Sequence, residues 1–129
     1  MRKLLCLLLA LAFAGSGAAV AVADCRAIHQ GEKVALLGSA DDPDVFVWDS
    51  SFRLETYQTG TYDVARALLP HAWTVPPGTR AVVIACKPGV VHPKYRGITD
   101  DALGIIMLSG PYRGRSGWVM GQDLRPMRR

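Results

Sequence analysis

Side chains able to do chemistry are few in this chain, and each group falls short of a known catalytic or ligating pattern. The three histidines are His29, His71 and His92. A hydrolytic triad needs a nucleophile, a base and an orienting acid in one place. The chain has no G-x-S-x-G, no H-E-x-x-H and no free-thiol signature. Cys25 and His29 stand four residues apart and Cys86 and His92 six apart, and neither spacing matches a common zinc pattern. Asp41, Asp42 and Asp44 offer hard oxygens of the kind calcium takes, without the glycine and the distant bidentate glutamate of an EF-hand loop. The residues therefore imply no metal, no cofactor and no enzyme. The acidic turn reads as solvated surface or as one side of a binding site.

Groups that grip without reacting are better candidates. Trp118 and Tyr112 offer stacking area with a polar edge, suited to a peptide or a sugar; a place in the core is the competing role for Trp118. Arg113 and Arg115 project from a Gly-rich loop and suit carboxylates or phosphates. Trp118, Tyr112, Arg113 and Arg115 are thus expected ligand-binding residues.

The strongest positioning element is the stretch from Leu103 to Leu124. An apolar run, Leu103 to Leu108, meets a turn cluster from Gly110 to Gly117, and Trp118-Val119-Met120 follows. That pattern predicts a β-hairpin with a long, basic, Gly-rich loop. Thr79 to Lys87 is the strongest single strand. It follows Pro76-Pro77-Gly78-Thr79, a type II turn signal. Val45-Phe46-Val47-Trp48 is β-branched and aromatic, with Val45 and Val47 on one face and Phe46 and Trp48 on the other. Glu32 to Gly38 is a further strand, and Phe52 to Tyr57 alternates well enough to be another, with Phe52, Leu54 and Thr56 inward. Thr61 serves as N-cap for one short helix from Tyr62 to Leu69, with Asp63 in its first turn and Pro70 as its stop. Val90 to Ala102 reads as a long loop.

Arg2 and Lys3, the apolar run Leu4 to Phe13 and the small-x-small triplet Ala21-Val22-Ala23 form a secretory signal peptide over residues 1–23. Gly15, Ser16 and Gly17 interrupt the apolar run, which disfavours a membrane anchor. Asp24, standing before Cys25, disfavours lipid attachment. Residues 24–129 are then one small domain without a transmembrane segment, periplasmic or secreted. Cys6 leaves with the signal, and the remaining pair, Cys25 and Cys86, reads as a disulfide in an exported chain. Charge is uneven: residues 24–63 carry three basic and eight acidic groups, residues 64–129 ten and three. The two halves either pair with each other or present faces of opposite sign.

Short strands with frequent turns suggest a mostly-β barrel or sandwich. The segment from Val75 onward resembles the bacterial Src-homology-3-like (SH3-like) domains of exported cell-envelope proteins. The residues that carry the resemblance are Pro77-Gly78-Thr79, the strand Arg80 to Ala85, the strand Leu103 to Leu108, Gly114-Arg115-Ser116-Gly117, Gly117-Trp118-Val119, and Asp123-Leu124. The first half departs from the family: no N-V-R-S-G-P-like segment opens it, and Phe52 to Ala72 resembles an insertion carrying a helix. The resemblance implies a small SH3-like barrel with one short helix in an insertion. It also implies a non-catalytic module that binds peptide or peptidoglycan. In Src-homology-3 domains an acidic loop beside aromatic residues reads basic, proline-rich peptides, and Asp41, Asp42, Asp44 and Trp48 hold an analogous place in sequence order; the resemblance thus adds Trp48, Asp42 and Asp44 to the expected ligand-binding residues.

The expected function is an exported binding module of the bacterial cell envelope, with peptidoglycan or an envelope protein or peptide as partner. Export argues against nucleic acid, although the basic half would suit a polyanion. The alternatives are a protein-interaction or inhibitor module docking through a sheet edge, and a small envelope enzyme.

Overall fold

The alternation in Val45-Phe46-Val47-Trp48 sorts the whole molecule into two packed faces. A computed structural model describes residues 24–94 and 97–127; the signal peptide expected over residues 1–23 lies outside them. The strands are β1 (Lys33–Leu36), β2 (Val45–Trp48), β3 (Ala72–Val75), β4 (Thr79–Val91), β5 (Asp100–Met107), β6 (Ser116–Met120) and β7 (Leu124–Pro126). Helices α1 (Ser51–Thr59) and α2 (Tyr62–Leu68) lie between β2 and β3, and short 3₁₀ turns cover Leu69–His71 and Gly121–Asp123. All pairings are antiparallel, in the order β3-β2-β6-β5-β4-β1-β7. The protein is mostly β, a curled seven-stranded antiparallel half-barrel with two short helices.

Curling follows from β4. This strand is long, and its register against β5 shifts between Val83 and Ala85 and again between Lys87 and Val91. Such bulges bend the strand and increase its twist. The concave side collects Val34, Leu36, Val45, Val47, Val83, Leu103, Ile105 and Leu124, all essentially inaccessible. The opposite side collects Trp48, Ala102 and Met120, and α1 covers it with Leu54. Burying this apolar area is the main source of stability in so small a domain.

Two turn and packing residues explain local choices. Gly78 has φ +84°, and Thr79 N donates to the Pro76 carbonyl at 3.3 Å, as a type II turn requires. At Gly117 a Cβ would come within 2.8 Å of the Trp73 ring, so the indole lies on the strand only because that residue has no side chain. The Leu103–Leu124 hairpin forms as β5 and β6, with Leu103 opposite Val119 and Gly104 opposite Trp118.

Phe52 to Tyr57, expected as a strand, lies in helix α1, so two helices and not one stand between β2 and β3. Ser50, in extended backbone, caps it by accepting from Arg53 N at 3.2 Å, satisfying one of the free donors of a helix start. Asp49 and Arg53 pair at 2.8 Å across one turn. Leu54 is buried, but Phe52, expected to face inward, is 73% exposed. Helical spacing puts Ser51, Leu54 and Tyr57 on the sheet side. The expected loop from Val90 to Ala102 is shorter, because β4 runs to Val91 and β5 begins at Asp100.

Cys25 and Cys86 form a disulfide, with Cα atoms 5.7 Å apart. It ties the segment before β1 to β4. Asp101 reinforces the tie: its two carboxylate oxygens accept from Cys25 N at 2.8 Å and Gly89 N at 2.7 Å. The bond is compatible with an oxidising compartment. No helix among the described residues is long and apolar enough to cross a membrane.

Candidate functional site: an acidic and aromatic cleft

Phe46 and Trp48 point to the same face of β2, toward α1, and Tyr57 comes down from the last turn of that helix. Ring centroids lie 6.2 Å apart for Phe46 and Trp48, 6.1 Å for Phe46 and Tyr57, and 4.7 Å for Trp48 and Tyr57. Trp48 is fully buried and forms the floor, while Phe46 and Tyr57 are half-buried and form walls. The acidic turn between β1 and β2 arches over one side. Gly38 N donates to the Pro43 carbonyl at 3.2 Å, and Asp42 N donates to Ser39 Oγ at 3.0 Å. These bonds hold the turn so that Asp42 and Asp44 line the cleft. The Gly121–Asp123 turn closes the other side, fixed by Leu37 N donating to the Asp123 carbonyl at 2.8 Å.

The resulting cleft has a volume of about 270 Å³. Neither Asp42 nor Asp44 has an ion-pair partner among the described residues, and both are exposed. Carboxylates at the rim of aromatic walls attract a cation twice, by direct charge and through the ring faces. The arrangement therefore suits an ammonium or guanidinium group carried on a peptide.

The seven residues expected from the sequence fall in three places. Asp42, Asp44 and Trp48 line this cleft. Tyr112, Arg113 and Arg115 belong to the β5–β6 loop. There the Arg115 guanidinium carbon stacks 3.8 Å from the Trp73 ring centroid and 5.8 Å from that of Tyr112. Trp73 itself is buried, and its Nε1 has no hydrogen-bond partner among the described residues, so Arg115 works as the lid of that indole. Trp118 is half-buried on the α1 side of the sheet. Lys87 Nζ lies 5.0 Å from its ring centroid and donates to Ser51 Oγ at 2.6 Å, clamping the first turn of α1 over it.

Phe46 and Tyr57 were missed as site residues. Phe46 had a usable signal, since it shares the strand face of Trp48. Tyr57 has none, because a strand over Phe52 to Tyr57 does not bring it to Trp48.

A larger depression of about 600 Å³ lies beside the disulfide, lined by Asp24, Arg26, Ile98, Asp100, Asp101 and Gln122 among others. Its carboxylates are already employed. Asp24 Oδ1 accepts from Arg26 N and Ala27 N, and Asp100 accepts from Asp101 N and Gln122 N. Burial pushes the Asp100 carboxyl above the usual range; those two hydrogen bonds offset part of this, and the charges of Asp101 and Asp24 add to it. Cys25, Cys86 and Asp101 offer three ligand-type atoms within 4.8 Å of one another. The two sulfurs are bonded to each other, which removes the thiolates a metal would need.

His71 Nδ1 lies 3.2 Å from Asp49 Oδ2 on the surface. Burial raises the Asp49 carboxyl, but the hydrogen bond and charge of Arg53, followed by those of His71, outweigh it and hold it below the usual range. Ser51, the hydroxyl nearest Lys87, is 6% exposed and so closed to a substrate. The chain matches no protein-family model, no curated protein and no solved structure.

Proposed function

We propose that this protein is an exported, non-catalytic binding module of the bacterial cell envelope, of SH3-like type, that takes a peptide or the peptide portion of peptidoglycan in the Asp42–Tyr57 cleft. One observation carries this reading: two exposed carboxylates, without ion-pair partners among the described residues, line a cleft walled by Phe46 and Tyr57. Free charge beside aromatic walls is a recognition feature, because an unliganded carboxylate there contributes nothing to packing. Support for the fold type comes from the order of a Gly78 turn, a long strand, a hairpin, Gly117-Trp118-Val119, a 3₁₀ turn and a final strand at Leu124. The disulfide supports a periplasmic or secreted location.

The test is retention of the exported protein on purified peptidoglycan at low and moderate salt. Retention that survives moderate salt and disappears in Asp42→Asn with Asp44→Asn is the expected result. Retention that salt abolishes, and that the double variant leaves unchanged, would mean charge attraction by the basic half alone and would overturn the reading.

A second reading has its own observation. Strand β3 is an open edge of the sheet. Asp49 N donates to the His71 carbonyl at 3.1 Å, so hydrogen-bonded pairs alternate from there and the backbone groups of Thr74 point away from β2. A partner strand could add at that edge, as in an interaction or inhibitor module. Crosslinking in the envelope would find that partner.

A further inference from the structure

A second cleft, of about 320 Å³, lies on the other side of the last turn of α1. Tyr57 and Gln58 line both clefts. We infer that the two are subsites of one groove for a short peptide that carries an ammonium group at one end and a carboxylate at the other, the carboxylate being read by Lys94. This inference rests on the peptide-site reading above and adds to it a second subsite and a polarity.

The second subsite joins α1 and α2, in the part of the chain that departs from the resembled family, to the β4–β5 loop. Its walls are Tyr62 and Ala65 of α2, Tyr57 and Gln58 of α1, and Pro93 with Lys94 from the β4–β5 loop. Lys94 N donates to the Gln58 carbonyl at 3.1 Å, which fixes that loop against the end of α1. Pro93 is buried beneath, whereas Lys94 is exposed and Tyr62 is 78% exposed. The wall is therefore held in place while its aromatic ring remains open to a ligand.

Charge gives the groove its direction. Asp42, Asp44 and Asp123 line the first cleft. Among the described residues lining the second there is no carboxylate, and the charged side chain is Lys94. Opposite charges at the two ends favour a zwitterionic ligand in one orientation and repel it in the other. Together the two volumes fall within the roughly 300–1,000 Å³ of ordinary ligand clefts. That is room for a few residues and not for a folded partner.

The probe is acetyl-Lys-Ala-Ala with a free carboxyl terminus, compared with its C-terminal amide and its Nε-acetyl-lysine form. Each is titrated into the exported protein and followed by backbone amide shifts. The free acid should bind about five-fold more tightly than the amide at low salt, the size of an exposed charge contact. Lys94→Gln should erase that difference and leave the dependence on the lysine amine intact. Asp42→Asn with Asp44→Asn should do the reverse. Equal affinity of acid and amide for the unaltered protein, with the Nε-acetyl form weaker, overturns the second subsite and leaves the peptide-site reading standing. Absence of binding by all three probes at millimolar concentration overturns both.

Discussion

Trp48 and Tyr57 meet with ring centroids 4.7 Å apart and planes tilted by 41°, so one contact both docks α1 on the sheet and forms a wall of the cleft. Trp48 is buried, whereas Tyr57 keeps part of its ring open. In the proposed site, stability and recognition therefore share a side chain, and substitution should separate them. Tyr57→Phe keeps the stacking area, and its urea midpoint should stay within about 0.5 kcal/mol of the original. Tyr57→Ala loses the ring and should cost about 1–3 kcal/mol, less than for a fully buried aromatic. Binding of a lysine-bearing peptide should survive the first change and fail with the second. If Tyr57→Ala binds as well as the original protein, the ring is no wall of the site.

Helix α1 makes a sharp prediction about two neighbours. Leu54 is 1% exposed and Phe52 is 73% exposed, although both would lie on one face of a strand. Leu54→Ala should cost roughly 2–5 kcal/mol through the cavity it leaves, and Phe52→Ala should stay within about 0.5 kcal/mol. Chemical denaturation of both variants measures this directly. Comparable losses at the two positions would contradict the helix.

That pair shows where the fold was legible and where it was not. β2, the hairpin of β5 and β6, the Gly78 turn and the Thr61-capped helix could all be read from the chain, because each has a local cause: β-branching, turn chemistry or a cap. Phe52 to Tyr57 is too short for its period to decide between strand and helix. Its cap, Ser50, reads from the chain alone equally well as a turn residue. The same error hid Tyr57 from the site. Trp48 with Asp42 and Asp44 could be grouped because they hold, in sequence order, the place of the acidic loop and aromatic residue of Src-homology-3 domains. The clustering of Arg115 on Trp73 could not, since it depends on β6 pairing next to β2, a contact between distant segments. The partition of the expected site into three places is likewise a matter of sheet order, which residue types do not encode.

Disulfide loss should be costly in a domain of this size. Cys25 and Cys86 are 61 residues apart, and the chain-entropy estimate for such a loop is about 4 kcal/mol. Cys25→Ser with Cys86→Ser should lower the urea midpoint accordingly, and reduction of the unaltered protein should lower it by the same amount. An unchanged midpoint under reducing conditions would show that the bond constrains little. The segment from Asp24 to Ile28 should be the first part released, because beyond the bond it is held by Asp101, by the Asp24 turn and by burial of Ile28.

Acid should remove the contribution of Asp49 while leaving that of its neighbours in place. Its carboxyl titrates below the unfolded value of 3.8 because Arg53 and His71 favour the charged form. A depressed folded value means stability that is fully present above about pH 4 and lost as the pH falls through the folded value. Asp100 has the opposite sign: its raised value costs stability at neutral pH, and the cost disappears in acid. The difference between the unaltered protein and Asp49→Asn cancels the Asp100 effect, since both proteins carry it. That difference should be below about 1 kcal/mol near pH 6, as for other exposed pairs, should shrink with added salt, and should fall as the pH drops below the unfolded value of 3.8. Urea unfolding at a series of pH values measures it. A gap that does not change with pH below 3.8 would mean that Asp49 acts through its shape at the start of α1 and not through its charge.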